Sequence, residues 1–473
     1  MSGLDPRACL GIVERIEALR SFGKVSRVVG LVAEGSGLDA PLGAVCHMLT
    51  EDGRSIAAEV VGFRDGKLLF MPYGDMRGVK PGSLIRNSSL PPVFPACPDL
   101  LGRTLDAFGN VLDGGPPLSS RPTDLLPAVE IQGNFAAPTS VAADLTRSGR
   151  VAVWRQGTAP LYAEPPSPLQ RPRISEVLDV GVRAVNALLT LGKGQRMGIM
   201  AGSGVGKSTL MGMMARYTAA DVNVIGLIGE RGREVLEFIE KDLGPEGMAR
   251  SVVVVATSDQ SPLVRMRAAY AATAVAEYFR NHGLDVLLMM DSITRFAMAA
   301  REVGLAVGEP PTTKGYTPTV FAQLPKLLER AGRSDRGTIT GIYTVLVDGD
   351  DFNEPIADAV RAILDGHVVL TRDLADQGHF PAIDVLRSIS RLRADICSQE
   401  SLQHGQTLLR HLATYRKVED MINIGAYAQG SNPDIDRAIV MVPRINEFLR
   451  QAVAERQPFA LCEEKMAALA QQG

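Results

Sequence analysis

Met197-Gly198-Ile199-Met200-Ala201-Gly202-Ser203-Gly204-Val205-Gly206-Lys207-Ser208-Thr209 is the stretch on which the fold turns. An apolar run fit for a buried strand enters a glycine-rich turn, and a helical pattern over Lys207–Ala219 leaves it. That strand–turn–helix context is what a phosphate-binding loop requires. Glycines let the backbone wrap so that successive N–H groups point at phosphate oxygens, and the helix N-terminus adds its positive dipole end. Gly202, Ser203, Gly204, Val205, Gly206 and Thr209 are then the cradle. Lys207 reaches the β- and γ-phosphates, and Ser208 offers a hydroxyl to Mg²⁺. Ala201 stands where the motif usually opens with glycine. The stretch predicts binding of a nucleoside triphosphate with Mg²⁺.

Outward from this loop the chain alternates. Apolar runs at Met197–Met200, Val222–Ile228, Val252–Ala256, Val286–Met290 and Thr338–Val347 are separated by helical patterns at Arg233–Asp242, Pro262–His282 and Ser292–Val303. Apolar strands alternating with helices predict a parallel sheet covered on both faces. Asp291 ends one of these strands about 85 residues past the loop, where a carboxylate holds Mg²⁺ directly or through water. Glu230 ends another. From position alone it either polarises the water attacking the γ-phosphate or caps the next helix and pairs with Arg233. Arg391 is placed to reach a neighbouring subunit's site or to form a surface ion pair; sequence position leaves both open.

The flanks read differently. Short β-branched runs from Gly23 to about Pro92 (Val25–Val32, Gly43–Leu49, Ile56–Gly62, Leu68–Met71), spaced by turns such as Glu51-Asp52-Gly53, predict a small antiparallel barrel. In the first twenty residues Cys9, Ile12, Val13, Ile16 and Leu19 share one helical face. That helix either packs on its own domain or docks on a partner or membrane surface. Ser119–Pro160 loses all periodicity and holds the single tryptophan, Trp154. It reads as a flexible insertion or, less favoured, a functional loop. Beyond Arg393 the pattern is helical again, over Gln399–Ile424 and Pro433–Arg456. The expected organisation is a helix over 1–22, a barrel over 23–95, a phosphate-loop core over 96–393 interrupted by 119–160, and a helical domain over 394–473.

Composition removes several classes of function. Fifty Lys and Arg against 53 Asp and Glu leave a formal charge of −3, so there is no bulk basic field for nucleic acid or an anionic membrane. Five scattered cysteines with no Cys-x-x-Cys pair argue against structural zinc and predict reduced thiols in a cytoplasmic protein. No apolar run approaches the ~20 residues of a membrane span, and no signal-peptide core opens the sequence.

Four segments recur together in one family: Ala201–Ser208, Gly-Glu-Arg-Gly-Arg-Glu-Val at 229–235, Met-Asp-Ser-Ile-Thr-Arg-Phe-Ala at 290–297, and Phe-Pro-Ala-Ile-Asp-Val-Leu-Arg-Ser-Ile-Ser-Arg-Leu at 380–392. The chain resembles the flagellum-specific ATP synthases, the ATPases of flagellar type III protein export. These are similar to injectisome secretion ATPases and to the catalytic subunit of rotary ATP synthases. Tyr162–Arg171 and Gly308–Pro318 carry the likeness to the export branch; Ser119–Pro160 is longer than the family's connection there. The resemblance implies a RecA-like core with an N-terminal barrel and a C-terminal helical domain. It also implies a catalytic role for Glu230, which is glutamine in non-catalytic relatives, with Arg231 and Arg295 lining the phosphate site. Arg391 becomes an arginine finger inserted into the adjacent protomer, and Phe380 and Tyr427 sandwich adenine. The implied assembly is a homohexamer at the flagellar base, peripherally associated with the inner membrane. Its implied partners are a stator-like regulator at the N-terminus, a central stalk protein, export substrates with their chaperones, and export-gate membrane proteins. Near the central pore the resemblance puts Gly308–Pro318 and Thr319–Ala331, with Lys314 and Tyr316 as exposed contacts for substrate or stalk. Two rival readings are a non-catalytic ring subunit, disfavoured by Glu230, and an RNA-driven hexameric translocase. The latter is disfavoured by the thin scatter of Lys and Arg over residues 23–92.

Overall fold

Strand Arg196–Ala201, which runs into the glycine-rich turn, lies inside a nine-stranded sheet in the computed structural model. The structure describes residues 21–88, 92–118, 157–347 and 354–472. Across the sheet the strands run Ile389–Ser390, Gly366–Leu370, Arg196–Ala201, Thr338–Leu346, Asp285–Asp291, Val222–Glu230, Ser251–Thr257 and Arg103–Asp106. Gly332–Arg333 pairs on Thr338–Leu346. All neighbours along the path are parallel except the outermost, Ile389–Ser390. The five apolar runs expected as strands are strands, buried almost throughout. Burial on both faces explains their uniform hydrophobicity. Helix Pro262–Asn281 packs across Val222–Glu230, Ser251–Thr257 and Asp285–Asp291, and nearly all its residues are buried.

Four strands of this sheet escaped the sequence reading, the two-residue Gly332–Arg333 among them. Arg103–Asp106 is short and polar, and it exists as a strand because it pairs with Val252–Val255. Gly366–Leu370 opens on Gly-His, a weak β signal, yet Val368, Val369 and Leu370 are buried beside the phosphate-loop strand. Ile389–Ser390 is only two residues long. The helical pattern expected over Arg233–Asp242 is an α-turn, Gly232–Glu237, followed by a π-helical turn, Phe238–Leu243, that packs on helix Lys207–Tyr217.

The chain divides into two compact units, the first holding residues 21–92 with 303–309. Its strands close as a barrel in the order Phe22–Val29, Val32–Ser36, Lys67–Pro72, Ser55–Arg64, Val45–Leu49, Leu84–Asn87. Val25, Ala33, Cys46, Met48, Val60, Phe70 and Ile85 fill it. The run read as one strand, Val25–Val32, is two, folded back at Gly30-Leu31, and Leu84–Asn87 supplies the sixth strand. The expected N-terminal helix lies outside the described residues, and so does the insertion expected over Ser119–Pro160 except for its end: Gly157–Pro160 is a strand, held antiparallel against Val93–Ala96.

In the second unit, helices Gln399–Asn423, Pro433–Leu449 and Phe459–Ala470 follow the sheet. The first two begin on side-chain caps: Ser398 accepts from Ser401 N–H, and Asn432 accepts from the N–H groups of Asp434 and Ile435. Such caps are each worth about 1 kcal/mol. Leu408, Met441, Ile445, Cys462 and Met466 join the sheet's hydrophobic core. Buried Arg183 fastens this part by donating to the carbonyls of Phe448 and Arg450 (2.8 and 2.9 Å) and to Glu455 (2.6 Å).

Candidate active site

At the C-terminal ends of the parallel strands, four elements deliver the charged groups. Gly204 and Gly206 have φ of +78° and +87°, so the turn uses conformations that side chains disfavour. Gly206 precedes helix Lys207–Tyr217 with no side chain capping it. The first-turn N–H groups therefore face outward without intrahelical acceptors, and the first intrahelical bond is Leu210 N–H to Gly206 O. One strand intervenes between the loop strand and Asp285–Asp291, namely Thr338–Leu346. Its Thr344 donates to Asp291 Oδ1 at 2.6 Å, which fixes that carboxylate.

Lys207 crosses this gap. Its Nζ stands 2.5 Å from Asp291 Oδ1 and 3.5 Å from Glu230 Oε1. The three side chains are 12%, 5% and 12% exposed respectively. Burial opposes the charge on Lys207, but Asp291 and Glu230 outweigh it and raise its pKa. Glu230 is driven to about 7, first by burial, then by the negative charge of Asp291, with Lys207 pulling the other way and a hydrogen bond to Glu234 adding to the rise. One cation shared by two carboxylates leaves this pocket electronegative, and it holds a carboxyl poised to exchange a proton near neutrality.

Each expected site residue has a definite place. Arg295 leads its helix past Gly229 so closely that a Cβ there would lie 2.9 Å from the arginine's own Cβ. Arg295 Nε is buried without a hydrogen-bond partner. The Phe380 ring lies over Gly206, 3.7 Å from where a Cβ would stand, and the residue remains 45% exposed, leaving the ring a free face. Ser208 is half-buried in the first helical turn, while Thr209 turns its hydroxyl to the Asp242 carboxyl. Arg231 is exposed and pairs with Glu234 at 3.4 Å. Tyr427 caps the turn between two C-terminal helices, donating to Asn432 O and Asp436 Oδ1, both at 3.0 Å. Arg391 follows strand Ile389–Ser390, which pairs with the start of Gly366–Leu370. Ala201 pairs with the end of that strand, at Leu370, so Arg391 and the phosphate loop lie at opposite ends of the sheet, roughly 13–17 Å apart along the strands.

Two findings depart from the sequence reading. Tyr316, expected to be exposed, is 3% exposed, with its ring under Arg301 (5.2 Å) and against Phe321; Lys314 beside it is exposed. Arg372, which carried no signal, donates to Ser203 O at 3.2 Å and braces the loop. Thr344 was missed too, since a threonine inside a β-branched run looks like any other strand residue.

The donor set fits Mg²⁺. The hydroxyl of Ser208 and the carboxylate of Asp291 are hard oxygen donors, and a Mg²⁺ ion with one or two protein ligands completes its octahedron with phosphate oxygens and water. Among the described residues no group of three or more His, Cys, Asp or Glu is arranged to hold a metal by protein ligands alone. None of their helices is long and apolar enough to cross a membrane.

Three family models match the chain. Residues 181–390 match the ATP synthase alpha/beta family nucleotide-binding domain, 25–88 that family's beta-barrel domain, and 397–468 the T3SS EscN ATPase C-terminal domain. A flagellum-specific ATP synthase from Bacillus subtilis is 50% identical over 98% of this chain and 98% of its own. A type 3 secretion system ATPase from Xanthomonas euvesicatoria is 48% identical over 91% of this chain and 90% of its own. The assembled ATPase EscN, solved with its central stalk EscO from the enteropathogenic E. coli type III secretion system, superposes with a TM-score of 0.79 at 40% identity. It covers 95% of this chain and 100% of its own.

Proposed function

We propose, for a chain that belongs to the family of the flagellum-specific ATP synthases, that it hydrolyses ATP to drive flagellar type III protein export as a ring of identical subunits. The observation that carries the reading is Lys207 held between Asp291 and Glu230 at the mouth of a phosphate loop. In the reaction, the loop's N–H groups and Lys207 hold the β- and γ-phosphates, and Arg295 adds charge at the phosphoryl group. Mg²⁺, when bound at Ser208 and Asp291, neutralises phosphate charge and orients the oxygens. Glu230 accepts the proton of the attacking water, for which a carboxyl near neutral pKa is suited. Phe380 offers its ring to the base.

Arg391 cannot serve the loop of its own chain from the far end of the sheet. It is therefore assigned to a neighbouring copy, where it meets charge developing on the transferred phosphoryl. Such fingers are worth about 10³–10⁵ in rate. The ring is a hexamer in this reading, with a central stalk as in the EscN–EscO complex. It works in the cytoplasm at the flagellar base with a stator-like regulator, export substrates and chaperones, and export-gate membrane proteins. Arg231, exposed and paired with Glu234, exchanges that partner for phosphate as the site fills. Tyr427, held in its turn by Asn432 and Asp436, is the second aromatic assigned to the base. The T3SS C-terminal match favours one second reading, service in an injectisome.

Expression in a flagellated relative lacking its own flagellum-specific ATP synthase tests this. Restored secretion of flagellar proteins, lost again with Lys207→Ala, is the expected result. No flagellar secretion there, with injectisome secretion restored in a strain lacking its own type 3 secretion system ATPase, would transfer the chain to the second reading.

A further inference from the structure

At the sheet end opposite the phosphate loop, three elements converge on one side chain. Arg196 opens the phosphate-loop strand. Its guanidinium donates to both Asp365 oxygens, Nε to Oδ2 and Nη2 to Oδ1 at 3.1 Å each, and its own N–H donates to Asp365 Oδ2 at 2.9 Å. It also pairs with Glu329, just past helix Pro318–Leu328. Arg171 pins the same turn by pairing with Glu329 at 3.7 Å and donating to Ala331 O at 2.8 Å. Asp365 in turn accepts the backbone N–H of Arg391 at its own carbonyl (3.0 Å), and Arg391 Nη2 donates to Arg361 O at 3.2 Å.

The Asp365 carboxylate is thus clamped by one residue, and its carbonyl anchors another. Both Arg196 and Asp365 are mostly buried, at 15% and 24% exposure, so the pair is screened little by solvent. The strand that ends in the phosphate loop begins at the tie that holds Arg391.

We infer that Asp365, fixed by Arg196, is a positioning residue for Arg391: it sets the arginine that this chain offers to the neighbouring copy, and it links that arginine to the chain's own phosphate-loop strand and to helix Pro318–Leu328. This rests on Arg391 acting in trans. An angstrom of misplacement at a reacting centre costs on the order of 100-fold, so loss of the tie lowers turnover at the partner's site and leaves nucleotide binding at its own loop intact. Removing the Asp365 charge still leaves Arg196 its Glu329 partner, which keeps the fold satisfied.

The test uses mixed full-length assemblies. Arg391→Ala retains a sound phosphate loop; Lys207→Ala retains a sound Arg391. Mixing them is expected to restore turnover, and no recovery would remove the trans assignment itself. Replacing the second partner by Lys207→Ala/Asp365→Asn is expected to restore about 10- to 100-fold less, with the ATP KM unchanged and the assemblies of equal size. Asp365→Glu should recover part of the loss. In an Arg391→Ala background, Asp365→Asn should add nothing further. Equal restoration by both partners overturns the inference while sparing the trans site. An Asp365→Asn effect that persists without Arg391, or a failure of Asp365→Asn to assemble where wild type does, overturns it by making the pair merely structural.

Discussion

Glu230 gives the sharpest handle on the chemistry. Burial and the neighbouring Asp291 charge lift its carboxyl to about 7 in the nucleotide-free site, and the free enzyme's essential groups govern the pH dependence of kcat/KM. A base with that pKa is about 9% ionised at pH 6, about 50% at pH 7 and about 90% at pH 8. The value of kcat/KM should therefore fall about fivefold from pH 7 to pH 6 and rise less than twofold from pH 7 to pH 8. The assay is steady-state phosphate release at fixed assembly size with excess Mg²⁺, which keeps the nucleotide's own phosphates from titrating in this range. Glu230→Gln should bind a fluorescent nucleotide normally and lose at least about 100-fold in turnover, the low end for general-base catalysis. Stability carries the same signature. Because the folded pKa lies above the unfolded one, the folded state binds more protons between roughly pH 4.5 and 7, and stability falls as pH rises through that window. Relative to Glu230→Gln, the wild-type Tm should drop between pH 5 and 8. A flat kcat/KM across pH 6–8, or near-normal turnover in Glu230→Gln, would refute the assignment.

Three further outcomes follow from particular contacts. Thr344→Val removes the hydroxyl that fixes Asp291; the Mg²⁺ concentration giving half-maximal activity should rise by about tenfold or more, since a charged hydrogen bond is worth roughly 1.5–3 kcal/mol, and an unchanged Mg²⁺ curve would contradict it. Phe380→Ala should raise the ATP KM with little loss of kcat, since the ring covers the loop at Gly206 without touching the reacting groups; a lowered kcat at constant KM would count against a base-binding role. Arg330→Ala leaves Glu277 buried without its partner, the two being joined by contacts of 3.0 and 2.7 Å, and should cost about 3–5 kcal/mol in denaturant unfolding.

The sequence was most legible where one chemistry demanded one pattern. The glycine turn, the apolar strands and Asp291 at a strand end could be placed without coordinates, because parallel strands buried on both faces need unbroken hydrophobicity. Short or polar strands could not be: Arg103–Asp106 and Ile389–Ser390 are made strands by their neighbours, so no local signal exists to read. Tyr316 was misplaced for a related reason. A loop rich in Pro, Thr and Gly reads as solvated, but Arg301 and Phe321, distant or modest in sequence, cover the ring. Arg372 and the Arg196–Asp365 tie depend on approaches across some 170 residues. Glu230 was ambiguous by position; its shared contact with Lys207 and the resulting pKa give it a physical distinction that Arg231, exposed beside Glu234, lacks in this conformation.

The account stands most directly on ATPase rate measured against protein concentration, with the assembled species sized in the same samples. Specific activity should climb steeply as single copies give way to rings, and Arg391→Ala should assemble equally well without that climb. Dilute single copies turning over ATP as fast as the assembled ring would contradict a site completed by its neighbour.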